Sequence, residues 1–329
     1  MLKIIRKIKQ KTEFFYRQKI VCEQYPMMTS LSRKELQGEG AIGLVYMLHH
    51  ITKKNPKGIP TNEDLKVSPQ FLERIIVNYK KRGFVFVSLD ELSNIISSDK
   101  TPEKPFVAFT IDDGYLDNYK EALPIFERQQ VPFAIFVSSD FIDQKVILWW
   151  DILEDLILKN ETLKIGANEY ICHTFQEKWD VFRILREIIL HFDQNKLKTA
   201  LEKLFAHYNI NLYDPIRQQA MTWEQVKELS NHPLCTIGGH TVSHCVLSQL
   251  SENDFRKEVG INLKTIETVI DKPVYHFAYP YGSPNEISER EYQLISEFNL
   301  KTVFSSYGGC ITNENKHNIT HLPRVYLHE

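Results

Sequence analysis

The chain has 329 residues, 43% of them hydrophobic and 25% charged, which excludes a disordered or fibrous protein and allows one large α/β barrel or two smaller domains. A formal net charge of −2 excludes a general nucleic-acid binder, which would carry a basic stripe. The five cysteines (Cys22, Cys172, Cys235, Cys245 and Cys310) are widely spaced with no Cys-x-x-Cys, so neither a disulfide framework nor a thiolate zinc site is expected.

The basic N-terminus, Met1-Leu-Lys-Ile-Ile-Arg-Lys-Ile-Lys-Gln-Lys, is interrupted by charge and lacks the apolar core of a secretory signal. No stretch approaches the roughly 20 apolar residues of a membrane span. Leu2, Ile5, Ile8 and Phe15 can share one face of a basic helix that lies on an anionic membrane surface or packs against the domain. The expectation is a cytoplasmic protein whose helical arm over residues 1–40 offers a peripheral contact with the inner membrane face.

Residues 41–51, an almost unbroken apolar run ending in His49-His50, read as a strand buried on both faces. Ser68-Pro69-Gln70 opens a helix, with Ser68 as N-cap and Pro69 at the first helical position, and Gly83 stops it. A second strand is expected over Phe84–Leu89, a short helix over Asp90–Ser97, and a third strand over Phe106–Ile111 that runs into Asp112-Asp113-Gly114. Asp117–Gln130 reads as helix and Phe133–Val137 as the fourth strand. The rhythm breaks at Leu148-Trp149-Trp150-Asp151, and about 150–222 reads as a mainly helical insertion, with a hairpin around Gly166-Ala167-Asn168. It resumes with a strand at Leu234–Gly238, a helix at Glu252–Asp271, a strand at Tyr275–Tyr279, a helix at Asn285–Phe298, a strand at Thr302–Ser305 and an extended segment at Thr320–Leu327. Seven or eight strands in βα order predict an incomplete or distorted (β/α) barrel over residues 41–329.

In such barrels the active site sits at the C-terminal ends of the strands. Those ends carry His49-His50, Asp112-Asp113, Gly239-His240-Thr-Val-Ser-His244 and Pro280-Tyr281-Gly282, and the last strand contains Arg324. Neighbouring strand residues point to opposite faces, so Asp112 and Asp113 are expected to do different jobs. His240 and His244, four apart, would share one face of a helix. Two such histidines and a carboxylate make a three-ligand site for zinc or a similar divalent ion. Each piece alone has a bland reading: an Asp-Gly turn, a solvated histidine pair, a surface arginine. Several strands delivering His, Asp and Arg to one rim are harder to explain by packing.

Thr110-Ile-Asp112-Asp113-Gly114, His240-Thr-Val-Ser-His244 and Phe277-Ala-Tyr-Pro280-Tyr281-Gly282, in that order, resemble the first three motifs of the polysaccharide deacetylase family (carbohydrate esterase family 4, NodB-like domain). The resemblance covers about residues 41–327, least so in the insertion. It implies a metal-dependent hydrolase that removes N-acetyl groups from an amino sugar in a polysaccharide, oligosaccharide or lipid-linked precursor. Asp113, His240 and His244 would hold the metal, zinc first and cobalt, nickel or iron next, and Asp112 would be the general base for the attacking water. The backbone N–H of Tyr281, beside Pro280, would help hold the oxyanion. The opening strand resembles the Tyr-His motif of the poly-N-acetylglucosamine deacetylase branch, which implies His49 as general acid, with His50 and His321 as alternates. Many members have an arginine where this chain has Ala278, and Arg324 would supply that charge to Asp112. Trp150 would wall the sugar site or, with Trp149, anchor the insertion; Asp151 would contact the sugar or cap the helix it begins. Two other readings keep the fold: a catalytically silent saccharide-binding protein, and a non-sugar amidohydrolase like the allantoinase-like relatives.

Overall fold

The computed structural model describes residues 40–329. The arm expected over residues 1–40, with Leu2, Ile5, Ile8 and Phe15, therefore lies outside the described residues apart from Gly40. Among the described residues no helix is long and apolar enough to cross a membrane, and Cys172, Cys235 and Cys245 are free thiols.

Seven strands build the barrel: β1 (Ala41–Leu48), β2 (Phe106–Asp113), β3 (Phe133–Val137), β4 (Cys235–Gly239), β5 (His276–Ala278), β6 (Thr302–Gly308) and β7 (Leu322–Tyr326). They pair in parallel in chain order, and β7 pairs back onto β1 through Tyr46–Val325 and Met47–Tyr326, closing the ring. Every residue of β1 and β2 is buried, as their unbroken apolar runs require once helices cover the outside and side chains fill the inside. The expected (β/α) barrel is thus present as a closed ring of seven.

The stretch Phe84–Leu89, expected as a second strand, does not enter the ring. Only Val85–Phe86 pairs, with Phe106 and Val107 on the flank of β2. Ser88 ends it early: its hydroxyl accepts from the Glu91 N–H while the Glu91 carboxylate takes the Ser88 N–H, a reciprocal cap that starts the helix at Leu89. The Ser68 hydroxyl, accepting from the Phe71 N–H, begins the helix Pro69–Lys81, as expected, and a cap between Ser288 and Glu291 shortens the last α-helix to Glu289–Ile295.

The helical insertion has an apolar core of its own. Trp149, Leu153, Ile157, Phe182, Leu185 and Phe205 gather from the helices Trp149–Lys159, Phe175–Leu190 and the segment after Leu197–Leu204, under a hairpin of Thr162–Ile165 and Asn168–Ile171. It is tied to the barrel by Glu154, whose carboxylate accepts from the Ile59 N–H at 2.7 Å and from the Asn62 amide. Inside the barrel, the small residues Ala108, Ala134 and Ala278 alternate with Phe136 and Phe304. That leaves room for one large buried side chain, Arg324.

Candidate active site

β2 ends in the two carboxylates, and both are buried: Asp112 is 2% and Asp113 3% exposed. They diverge as adjacent strand residues must. Asp112 faces the barrel interior, where Arg324 grips it with both guanidinium arms, Nη1 to Oδ1 at 2.7 Å and Nη2 to Oδ2 at 2.8 Å. Two of the three other N–H donors of Arg324 bond the Ser305 carbonyl (2.8 Å) and the Thr110 hydroxyl (3.0 Å). Its cationic carbon lies 5.6 Å and 5.9 Å from the ring centres of Phe136 and Phe304. A buried arginine is tolerated because every face of it is met. Burial pushes the Asp112 carboxyl up, but Arg324 and then His240 outweigh it and hold the group below the usual carboxylate range.

Asp113 turns the other way, its backbone at φ 80°. Its Oδ1 lies 3.3 Å from His240 Nε2 and 3.1 Å from His244 Nε2, and the three ligand atoms fall within 4.8 Å of one another. The Nδ1–H of His240 donates to the Ala278 carbonyl at 2.7 Å, which fixes the tautomer and leaves a lone pair on Nε2 facing the carboxylate. Asp113 Oδ1 is buried yet accepts no hydrogen bond. A lone pair and a carboxylate oxygen pressed together without a shared proton fit a cation between them. The donor set, two imidazoles and one carboxylate, suits zinc or a neighbouring divalent transition metal. Burial raises the Asp113 carboxyl, while His244 and His240, when protonated, pull it well below the usual range.

The histidine pair does not sit on a helix as the four-residue spacing suggests. Residues 240–244 form an irregular turn in which Thr241 and His244 adopt φ 65° and 54°. The turn is pinned from outside. Asn262 accepts from the His240 N–H (3.0 Å) and donates to the Val137 carbonyl (3.0 Å); Ser138 donates to the His240 carbonyl (2.6 Å). Glu258 takes both the N–H and the hydroxyl of Ser243 at 2.9 Å. Gly239 is required here, since a Cβ would stand 2.7 Å from Asn262 Oδ1. Asn262, Glu258 and Ser138 escape motif reading, although an asparagine on the apolar face of Glu252–Ile270, beside Phe255, Val259, Leu263 and Ile266, was a visible anomaly.

Tyr281 follows Pro280 beyond β5 in a left-handed conformation, φ 60°, and its ring meets that of His244 at 4.9 Å. Gly282 must follow, because a Cβ there would come within 2.8 Å of the Ser306 nitrogen. Four of the eight non-glycine residues with positive φ among the described residues, Asp113, Thr241, His244 and Tyr281, lie at this rim. Such local strain persists only where surrounding contacts enforce it. Trp150 stands over the site with its ring 5.6 Å from that of His244, while Trp149 is buried in the insertion core. Asp151 does not cap a helix, which begins two residues earlier at Trp149; it accepts from the Gln219 amide at 2.8 Å.

The three candidate acids separate cleanly. His49 lies among the site charges: burial lowers its pKa, Asp113 and then Asp112 pull it back up, and its Nδ1 is buried without a partner. His50 points away, its Nδ1 2.8 Å from Asp117, because β1 stops at Leu48 and His50–Ile51 pairs instead with Lys66–Val67. His321 stacks on Tyr292 at 4.0 Å and bonds Asn318 and Thr320. The structure does not bring it to the carboxylates.

The polysaccharide deacetylase family profile matches residues 99–303. A protein of Bacillus subtilis (strain 168) named "Putative polysaccharide deacetylase YxkH" is 28% identical over 242 residues, which cover 74% of this chain. The chain spans only 57% of that relative's length. Among solved structures, the Streptococcus pyogenes deacetylase PplD in complex with acetate superposes with a TM-score of 0.58 at 18% identity, over 87% of this chain and 92% of that one. IcaB from Ammonifex degensii does so with 0.54 at 18%, over 88% and 92%. With more than half of its length matched by the family profile, the chain belongs to the polysaccharide deacetylase family.

Proposed function

We propose that the protein is a metal-dependent hydrolase that removes N-acetyl groups from an amino sugar within a polysaccharide, oligosaccharide or lipid-linked saccharide. The observation that carries this reading is the division of labour between adjacent carboxylates: Asp113 faces two imidazole nitrogens, and Asp112 is clamped by a buried arginine beside them. Asp113, His240 and His244 would hold the ion, zinc first and cobalt, nickel or iron as alternatives. A divalent ion there supplies Lewis acidity toward the acetamido carbonyl and makes water acidic enough to ionise near neutral pH.

The protein's own groups account for the proton movements. Asp112, kept ionised by Arg324, takes a proton from the attacking water at its carboxylate. The Tyr281 N–H, held by the strained turn after Pro280, donates toward oxygen charge that appears only in the transition state. His49 gives a proton to the departing amine nitrogen, which must leave as a neutral amine. Trp150 walls the cleft, offering an indole face to the sugar ring and excluding water from above His244. The test is bound-metal content together with acetate release from N-acetylglucosamine oligomers and lipid-linked amino sugars, wild type against Asp112→Asn. Full metal content with acetate release only in the wild type supports the reading; a metal-loaded wild type inert on every N-acetylated sugar refutes it.

A further inference from the structure

The helix Glu252–Ile270 sends two polar side chains, Glu258 and Asn262, against the turn that carries His240 and His244. They stand four residues apart and so share one face of the helix. Each holds the backbone at a different histidine. Asn262, fully buried, accepts from the N–H of His240 itself and donates to the Val137 carbonyl, both at 3.0 Å. Val137 pairs with Asp113 on one side and with Gly239 on the other, so this amide ties together the strand ends that deliver the ligands. Glu258 accepts from the N–H and the hydroxyl of Ser243, the residue before His244, at 2.9 Å. Its backbone carbonyl also accepts from the Val242 N–H at 3.1 Å.

The turn needs such holding. Thr241 and His244 adopt φ 65° and 54°, a conformation that residues other than glycine rarely take unless their surroundings enforce it. The two rings are also fixed unequally. The Ala278 carbonyl anchors the His240 ring, whereas His244 Nδ1 is buried without a partner. Apart from ring contacts with Trp150 and Tyr281, the position of His244 Nε2 depends on its backbone, and that backbone hangs from Ser243 and Glu258.

We propose that Glu258 and Asn262 form a rigid template that sets the separation of the two imidazole nitrogens, so that a helix supplying no ligand fixes how tightly the divalent ion is held. Both are positioning residues. The inference rests on the metal-site reading and deepens it: the ligand geometry is built in by the helix before the ion arrives.

The experiment measures zinc affinity of the folded protein, well below every Tm, by competition with a chromophoric chelator. Wild type is compared with Glu258→Ala, Glu258→Gln, Asn262→Ala, the Glu258→Ala/Asn262→Ala double variant and Ile266→Ala. The last removes core contacts one turn further along the same face and lies outside the hydrogen bonds to the histidine turn. Losing outer contacts of metal ligands costs about 10- to 100-fold in affinity, and that loss is expected in Glu258→Ala and Asn262→Ala. The double variant should lose less than the product of the two, because either break already frees the turn, while Ile266→Ala stays within about threefold of wild type despite a lower Tm. Glu258→Gln should match wild type, since its amide can accept from the Ser243 N–H and donate to the Ser243 hydroxyl. Alanine variants at the turn that hold zinc as wild type does, an equal loss in Ile266→Ala, fully multiplicative losses, or a Glu258→Gln as weak as Glu258→Ala would overturn the template and leave the ligand set standing. Should Asn262→Ala not fold, the two Glu258 variants and Ile266→Ala decide the same question. A wild type that takes up no zinc overturns the ligand set and the template with it.

Discussion

Removing Arg324 should damage stability and turnover together while leaving the metal ligands in place. Arg324→Ala deletes two short charge-assisted hydrogen bonds to Asp112 and strands a carboxylate that is 2% exposed. Breaking a buried ion pair by deleting one partner costs about 3–5 kcal/mol. For a domain of this size that is a fall in Tm on the order of 10 °C. The uncompensated Asp112 is also free to protonate or rotate, and a general base displaced by about 1 Å loses on the order of 100-fold in kcat. Arg324→Lys should not rescue turnover, since an ammonium cannot grip both carboxylate oxygens. Asp112→Asn combined with Arg324→Met, which removes both charges, should recover much of the Tm and none of the activity. Thermal unfolding, bound-metal analysis and steady-state kinetics on one preparation read all of this. An Arg324→Ala protein with wild-type Tm and kcat would refute the reasoning.

His49→Gln should lower kcat by about 10²- to 10⁴-fold, the usual worth of a positioned acid, whereas His50→Gln and His321→Gln should change it a few-fold at most; an equal loss in all three would remove the assignment. Zinc added to chelator-treated protein should raise its stability by about 2.7 kcal/mol at a free concentration 100 times Kd. Asp113→Ala should abolish that gain and Asp112→Asn should keep it; the reverse pattern would exchange the two roles. His276, buried against the Thr302 hydroxyl at 2.7 Å, has its pKa pushed down from 6.5 to about 4 by burial. The unfolded chain therefore takes up the proton first, so its contribution is complete above about pH 6.5 and lost as pH falls toward 4, an effect of about 3 kcal/mol. Denaturant titrations of wild type and His276→Asn should converge by that amount over this range, and parallel pH profiles would contradict the burial argument.

The barrel was legible because its strands are apolar runs that stop at charged or imidazole residues, a pattern local enough to read from the chain. Phe84–Leu89 misled because its apolar run is overruled by the Ser88–Glu91 cap, which depends on a side-chain bond and not on hydropathy. Asp112, Asp113, His240 and His244 were locatable by type and spacing, but the spacing of His240 and His244 suggested a helical turn. Two left-handed residues produce the convergence instead, and spacing alone does not distinguish them. The partnership of Arg324 and Asp112, 212 residues apart, could be posed from the missing arginine at Ala278; its bidentate form follows from the space that Ala108, Ala134 and Ala278 leave. Asn262 acts through tertiary neighbours that no local pattern names.

The account stands most directly on one measurement: acetate released from an N-acetylglucosamine oligomer by the zinc-loaded protein, with zinc content determined on the same sample, for wild type and Asp112→Asn. The account predicts full zinc in both proteins, acetate from the wild type, and a rate lower by at least about 100-fold in the variant. Equal acetate release from both would contradict it.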